Sequence, residues 1–180
     1  SLGSITVAGD GTGNAQSALD TTAAGDIWNN GFTHGAAVAY TAMGGSDATN
    51  NKSVNYTLPT IMDDLSVAVS YSGQTTATNS TTAFGVTYTG VEGLSVSYGV
   101  GEAGTTVANT ASDVTTMKAS YAIGSFTAAV SNTENDRGST GIDEEMSSWK
   151  LSYTVTDDLS VSYGEETHET AGSAVDEEFD

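Results

Sequence analysis

The stretch Asp64-Leu65-Ser66-Val67-Ala68-Val69-Ser70-Tyr71 puts Leu65, Val67, Val69 and Tyr71 at every second position, with Ser66, Ala68 and Ser70 between them. Successive side chains of an extended chain point to opposite faces, so a period of two gives a strand with one apolar face and one small, polar face. The phrase returns as Gly93-Leu94-Ser95-Val96-Ser97-Tyr98 and as Asp158-Leu159-Ser160-Val161-Ser162-Tyr163. Segments of the same kind precede and separate the copies: Val54/Tyr56/Leu58, Phe84/Val86/Tyr88, Met117/Ala119/Tyr121/Ile123, Phe126/Ala128/Val130 and Trp149/Leu151/Tyr153/Val155. With Leu2 to Ala8 they predict nine strands and almost no helix. The fold class is all-β.

The connections alternate in length. Tight turns are expected at Pro59–Asp63, Gly90–Glu92, Gly124 and Thr156–Asp157. Long polar links are expected at Asp10–Asn50, Gly73–Ser80, Glu102–Asp113, Glu134–Met146 and His168–Asp180. An antiparallel up-and-down meander has this form when all its tight turns lie at one end and its long links at the other. The chain divides accordingly into a strand at residues 1–9, a long loop at 10–50 and four hairpins at 51–180. A link of about 40 residues far exceeds ordinary connections and marks a functional element. A short helix is expected in it near Asn14–Leu19.

An apolar sheet face has two homes, the interior of a β-sandwich or lipid. A secreted or surface β-sandwich, an adhesin-like binding module, is the alternative reading. Three features favour lipid. The second face is Ser, Thr, Gly and Ala, where a solvated sheet carries Lys and Glu. The aromatics cluster towards strand ends: Tyr71, Tyr98, Tyr163 and Trp149 towards the long links, Tyr88, Tyr121, Tyr153 and Phe126 towards the tight turns. Two aromatic bands around an aliphatic belt form the girdle expected at the two headgroup layers. Charge is expected in the loops, and the strand lysines, Lys118 and Lys150, fall by parity on the Ser/Thr face. The reading is a transmembrane β-barrel. Such strands never form an apolar run, so the absence of a helical span does not weigh against it.

Composition removes other classes. A net charge of −19 repels nucleic-acid phosphates, which excludes that partner. The chain has no cysteine, hence no disulfide framework or thiolate metal site. The glycine-rich Gly9-Asp10-Gly11-Thr12-Gly13-Asn14 follows a strand, as a dinucleotide loop would. Yet Asn14 occupies the third glycine position, Asp10 opposes phosphate, and no alternating helices follow. His34 and His168 are expected in loops as exposed residues, without a serine–acid arrangement. No enzyme and no cofactor are expected. The acidic runs Asp143-Glu144-Glu145 and Asp176-Glu177-Glu178 offer hard oxygen ligands to Ca²⁺, although the D-x-D-x-D-G spacing is absent and diffuse counter-ion binding is the default.

The D-D-L-S-V-x-x-S-Y phrase of the hairpins, and SITVAGDGTGNAQSALDTTAAGDIW leading into the long loop, resemble Gram-negative general porins, particularly the alphaproteobacterial type. The resemblance implies an outer-membrane homotrimer of barrels, usually sixteen-stranded, passing small hydrophilic solutes passively. It also implies that nine strands are a central-to-C-terminal fragment of such a barrel. In that family a long loop folds inward and constricts the pore with carboxylates opposite a basic wall. By position the loop acids would be Asp10, Asp20, Asp26 and Asp47, with Lys118 and Lys150 as wall charges and Trp28 and Phe32 packing the loop to the wall. The excess of acid leads to an expected mild cation preference.

Overall fold

The computed structural model describes residues 2–8, 15, 23, 53–59, 62–72, 81–103, 112–136, 143–171 and 177–179. The expected strands are all present: β1 (Ser4–Ala8), β2 (Ser53–Thr57), β3 (Leu65–Ser72), β4 (Thr81–Val91), β5 (Leu94–Ala103), β6 (Ser112–Ile123), β7 (Phe126–Asp136), β8 (Glu144–Thr156) and β9 (Leu159–Thr170). A short tenth strand, β10 (Glu177–Phe179), follows. They form one sheet in sequence order, each pairing antiparallel with the next. Among the described residues β1 and β10 are the two edges, and the sheet is not closed on itself.

The tight turns owe their shape to glycine where the backbone requires it. Gly93 and Gly124 have φ of 78° and 56°, the left-handed region favoured by two-residue hairpin loops. At Gly93 a Cβ would also collide with the Ala122 carbonyl oxygen of the neighbouring strand, whereas nothing lies within 4 Å of one built at Gly124. Each hairpin is stitched to the next beside its turn. The Ala122 amide donates to the Gly93 carbonyl at 2.8 Å, Thr89 to Asp64 at 2.8 Å and Thr154 to Ser125 at 2.9 Å.

Two expectations about the far ends of the strands are corrected. Residues read as long links continue the ladders: Glu102, Asp113, Glu134, Asp136, Glu144 and Glu145 all lie in strands. Charge is therefore not confined to loops. The link expected from His168 is likewise shorter, because β9 runs to Thr170 and β10 pairs with it opposite Glu166, Thr167 and His168. Hydrogen-bonded pairing, not hydrophobicity, carries these ends, since alternation of apolar residues stops before the ladder does.

Burial is inverted relative to a sheet in water. Val96, Met117 and Val161 are 41%, 52% and 59% exposed, and Leu151 and Tyr163 are exposed with them. Thr116, Thr133, Asn135, Ser148 and Glu166, on the opposite face, are buried. The described strands make a single layer, so no second sheet covers Leu65, Val96 and Val161 as a sandwich requires. A continuous exposed apolar face on a one-layer sheet needs an apolar medium against it.

The aromatic residues define a direction on that outward face. Tyr88 of β4 is opposite Val96 of β5, whereas Tyr121 of β6 is opposite Leu94, two residues nearer the turn. Tyr121 is opposite Ala128 of β7, and Tyr153 of β8 is opposite Phe126, again two residues nearer the turn. The line of rings thus shifts by one residue per strand. With ~3.4 Å per residue and ~4.8 Å between strands, the strands cross it at roughly 35° from the perpendicular, which is the tilt of outer-membrane barrels.

Candidate functional site

The small, polar face is the candidate site because a distant part of the chain docks on it. The Ala15 amide donates to Ser70 Oγ of β3 at 3.0 Å, and the Ala23 amide donates to Ser131 Oγ of β7 at 2.8 Å. Both alanines are buried, at 8% and 4% exposure. Residues from the link between β1 and β2 therefore lie against the inner wall. Burial on this face is concentrated in the half of the strands remote from the tight turns.

Strand parity builds the wall. Ser66 and Ser70 of β3 share the face with Ala83, Gly85 and Thr87 of β4, and with Ser97, Gly99 and Gly101 of β5. Hydroxyls pair across the strands. Thr87 and Ser97 Oγ atoms are 2.9 Å apart, and the Thr116 and Thr133 Oγ1 atoms are 3.0 Å apart in a buried position. Such pairs satisfy the polar groups while keeping the wall wettable.

Lys118 and Lys150 lie where parity put them. Lys118 is half-buried in a row between Ser97 and Ser131, and Lys150 is half-buried between Ala129 and Gly164. A Cβ at Gly164 would sit 2.6 Å from the Trp149 carbonyl oxygen and 3.3 Å from Lys150 Cβ. The glycine lets the lysine's stem lie close to β9.

Asp10, Asp20, Asp26 and Asp47 lie outside the described residues, as do Trp28, Phe32, His34, Asp176 and most of the helix expected near Asn14–Leu19. Glu144 and Glu145 are consecutive strand residues, so alternation directs them to opposite faces and they do not share one ion as neighbours. Glu177 and Glu178 stand in register with His168 and Thr167. Among the described residues no group of three or more acidic or histidine side chains is arranged to hold a metal ion.

His168 corrects its expectation. It is a buried strand residue, 4% exposed, on the inner face of β9 two positions from the still more buried Glu166. Apolar alternation ends at Tyr163, which concealed this. The usable signal was the hairpin itself: β8 extends back to Glu144, and antiparallel pairing carries β9 to Thr170 opposite it.

On the outward face, Phe126 and Tyr153 pack with centroids 4.6 Å apart, and Trp149 and Tyr163 meet edge to face at 5.5 Å. Beyond them the same face turns polar. Thr82 donates its amide and hydroxyl to Glu102 Oε2 at 3.1 and 3.0 Å, and Asn132 Nδ2 donates to Glu145 Oε1 at 2.6 Å.

A sequence profile described as Gram-negative porin matches residues 1–179. No curated protein sequence matches significantly. Among solved structures, the chain is similar to a loop-deletion mutant of OmpT, an outer membrane protein of Vibrio cholerae. The TM-score is 0.59 at 22% identity, over 98% of this chain and 62% of that one. At this identity the likeness concerns the fold, and the chain spans about 62% of that structure's length. Profile and fold agree with the outward apolar face in placing the chain in the outer membrane.

Proposed function

This chain belongs to the Gram-negative porin family, and on that premise we propose that it forms the wall of a water-filled channel for passive diffusion of small hydrophilic solutes and ions. The observation that carries the proposal is the pairing of an outward apolar face with a hydroxyl-lined inner wall on which Ala15 and Ala23 are docked. A wall of Ser, Thr and Gly offers water both donors and acceptors without binding any solute tightly, so transit needs no covalent step. Width and charge then select the solutes.

The finer reading follows the family. The segment at residues 10–50 is the constriction loop, with Asp10, Asp20, Asp26 and Asp47 supplying its acids and Lys118 and Lys150 the facing wall charges. Tyr71, Tyr98, Trp149 and Tyr163 form one aromatic girdle, and Tyr88, Tyr121, Phe126 and Tyr153 the other. In that reading the barrel is sixteen-stranded, as is usual in the family, and its closure satisfies the edge amides and carbonyls that would be costly in lipid. Trimeric assembly and the alphaproteobacterial type belong to the same reading. The net charge of −19 supports mild cation preference. Calcium gathers as a diffuse layer at Asp143, Glu144, Glu145, Asp176, Glu177 and Glu178.

Reconstitution into planar bilayers tests this. Stepwise ohmic conductance, with liposomes leaking small sugars and retaining large ones, is the expected result. A protein that inserts and passes neither ions nor sugars overturns it. In a salt gradient the sign of the reversal potential decides the preference, and an anion-selective sign removes that part alone.

A further inference from the structure

Ser70 and Ser131, the two wall hydroxyls that hold the docked segment, stand level with each other in the slanted sheet. The register shows it. Ser131 is opposite Lys118, Lys118 opposite Ser97, Ser97 opposite Thr87 and Thr87 opposite Ser66. The row of Ser131 therefore meets β3 four residues nearer the turn than Ser70. Four strand intervals separate β3 from β7. The offset is one residue per strand, in the same direction as the line through Tyr88, Tyr121 and Tyr153. Both anchors thus lie at one height relative to the aromatic rings, although they lie in different hydrogen-bonded rows.

The wall between them is shaped for close approach. Following the same slant from Ser70, the level line passes Ala83 and Gly85 of β4 and Gly99 of β5, all buried although they face inward. It then reaches Thr116 and Lys118 of β6 before Ser131. Eight residues separate Ala15 from Ala23, a reach of at most ~27 Å. Four strand spacings across the sheet and four residues along the strands make a distance of ~24 Å. The reach covers the distance with little slack.

We propose that Ser70 and Ser131 are a pair of level latches, positioning residues that hold the backbone at Ala15 and at Ala23 against the inner wall and so fix the aperture of the channel. The inference rests on the channel reading above and adds to it the residues that hold the constriction in place. Each latch uses a backbone amide as donor, so it is indifferent to the side chains of the docked segment. It depends only on a hydroxyl at the wall. A buried amide that loses its acceptor is strongly disfavoured, which keeps each latch closed at rest. Losing one bond of ordinary strength raises the population of the detached segment about fivefold.

The test uses the protein in bilayers and in detergent, with Ser70→Ala, Ser131→Ala, the double variant, and Ser131→Thr as the variant that keeps a hydroxyl. Ser162→Ala on the same wall is the control. Because the chain has no cysteine, Ala23→Cys reports detachment directly through its alkylation by an aqueous maleimide. Adding Ser131→Ala is expected to speed that alkylation about fivefold. The Ser→Ala variants are expected to show more frequent current substates, most in the double variant, with Ser131→Thr and Ser162→Ala behaving as wild type. Alkylation unchanged by Ser131→Ala overturns the latch, and this readout stands even for variants that insert poorly. Faster alkylation with an unaltered current trace overturns its control of the aperture. A wild-type protein that passes no current overturns instead the channel reading beneath it.

Discussion

Glu134 of β7 and Glu145 of β8 lie directly opposite each other in the ladder, and Glu169 of β9 continues the row. The three alternate with inward residues, so they share the outward face beyond the aromatic line. Like charges placed opposite across antiparallel strands oppose pairing by a fraction of a kcal/mol each. Glu145→Gln removes the middle charge and leaves an amide oxygen that still accepts from Asn132. We expect it to unfold at a higher temperature than wild type in low salt, with the gain fading as salt screens the row. Heat-dependent electrophoretic mobility at two ionic strengths measures this. A gain that persists undiminished in molar salt contradicts the electrostatic cause.

The outward face makes a sharper demand at Val161, which is 59% exposed on β9. Against lipid, arginine there is expected to cost about 1–2 kcal/mol, between the values for the midplane and the interface, because Val161 stands opposite Tyr153 of the turn-side aromatic line. Its neighbour Ser162 faces inward, so Ser162→Arg is expected to assemble with little loss. Urea unfolding of the two variants in lipid vesicles compares them. Equal stability would mean that the two faces do not differ in their surroundings.

What the sequence revealed and what it concealed follow from which interaction writes the pattern. Leu65, Val67, Val69 and Tyr71 announce β3 because lipid-facing positions must be apolar, and that demand leaves a period in the residues. Beyond Tyr163 no such demand acts. Gly164, Glu166 and His168 continue β9 through backbone pairing, which any residue but proline can supply and which leaves no apolar period, so the strand end looked like a loop. The wall lysines were legible by parity. The latches were not, because Ser70 and Ser131 differ from other wall serines only through what lies at Ala15 and Ala23, a long-range fact that local pattern does not contain.

The turns give a ranked prediction. Gly93 and Gly124 both require a left-handed backbone, which costs about 1–2 kcal/mol for an ordinary residue. Gly93 carries the additional clash of a Cβ with the Ala122 carbonyl oxygen, and that oxygen belongs to backbone that cannot turn aside. Gly93→Ala is therefore expected to destabilise more than Gly124→Ala, and Gly124→Asn to fall close to wild type because asparagine tolerates this conformation. Equilibrium unfolding of the three variants sets the order. Gly124→Ala proving the worse of the pair would place the cost in backbone conformation alone.

Met117 and Lys118 adjoin on β6 and face opposite media, one outward at 52% exposure and the other half-buried on the inner wall. The cysteine-free background lets each be replaced singly by cysteine and probed in a reconstituted bilayer. A charged, water-borne thiol reagent reaches Lys118→Cys from the aqueous lumen, and attachment of a negative group there adds to the loss of the lysine's charge. Both changes favour cations, so the reversal potential in a salt gradient is expected to move in the cation-selective direction while the current falls. The same reagent leaves Met117→Cys unreacted, since the thiolate it needs is disfavoured in lipid, and a lipid-soluble maleimide labels it instead. Aqueous labelling of both cysteines at similar rates would mean that water contacts both faces of the sheet, and the assignment of inside and outside would fail with it.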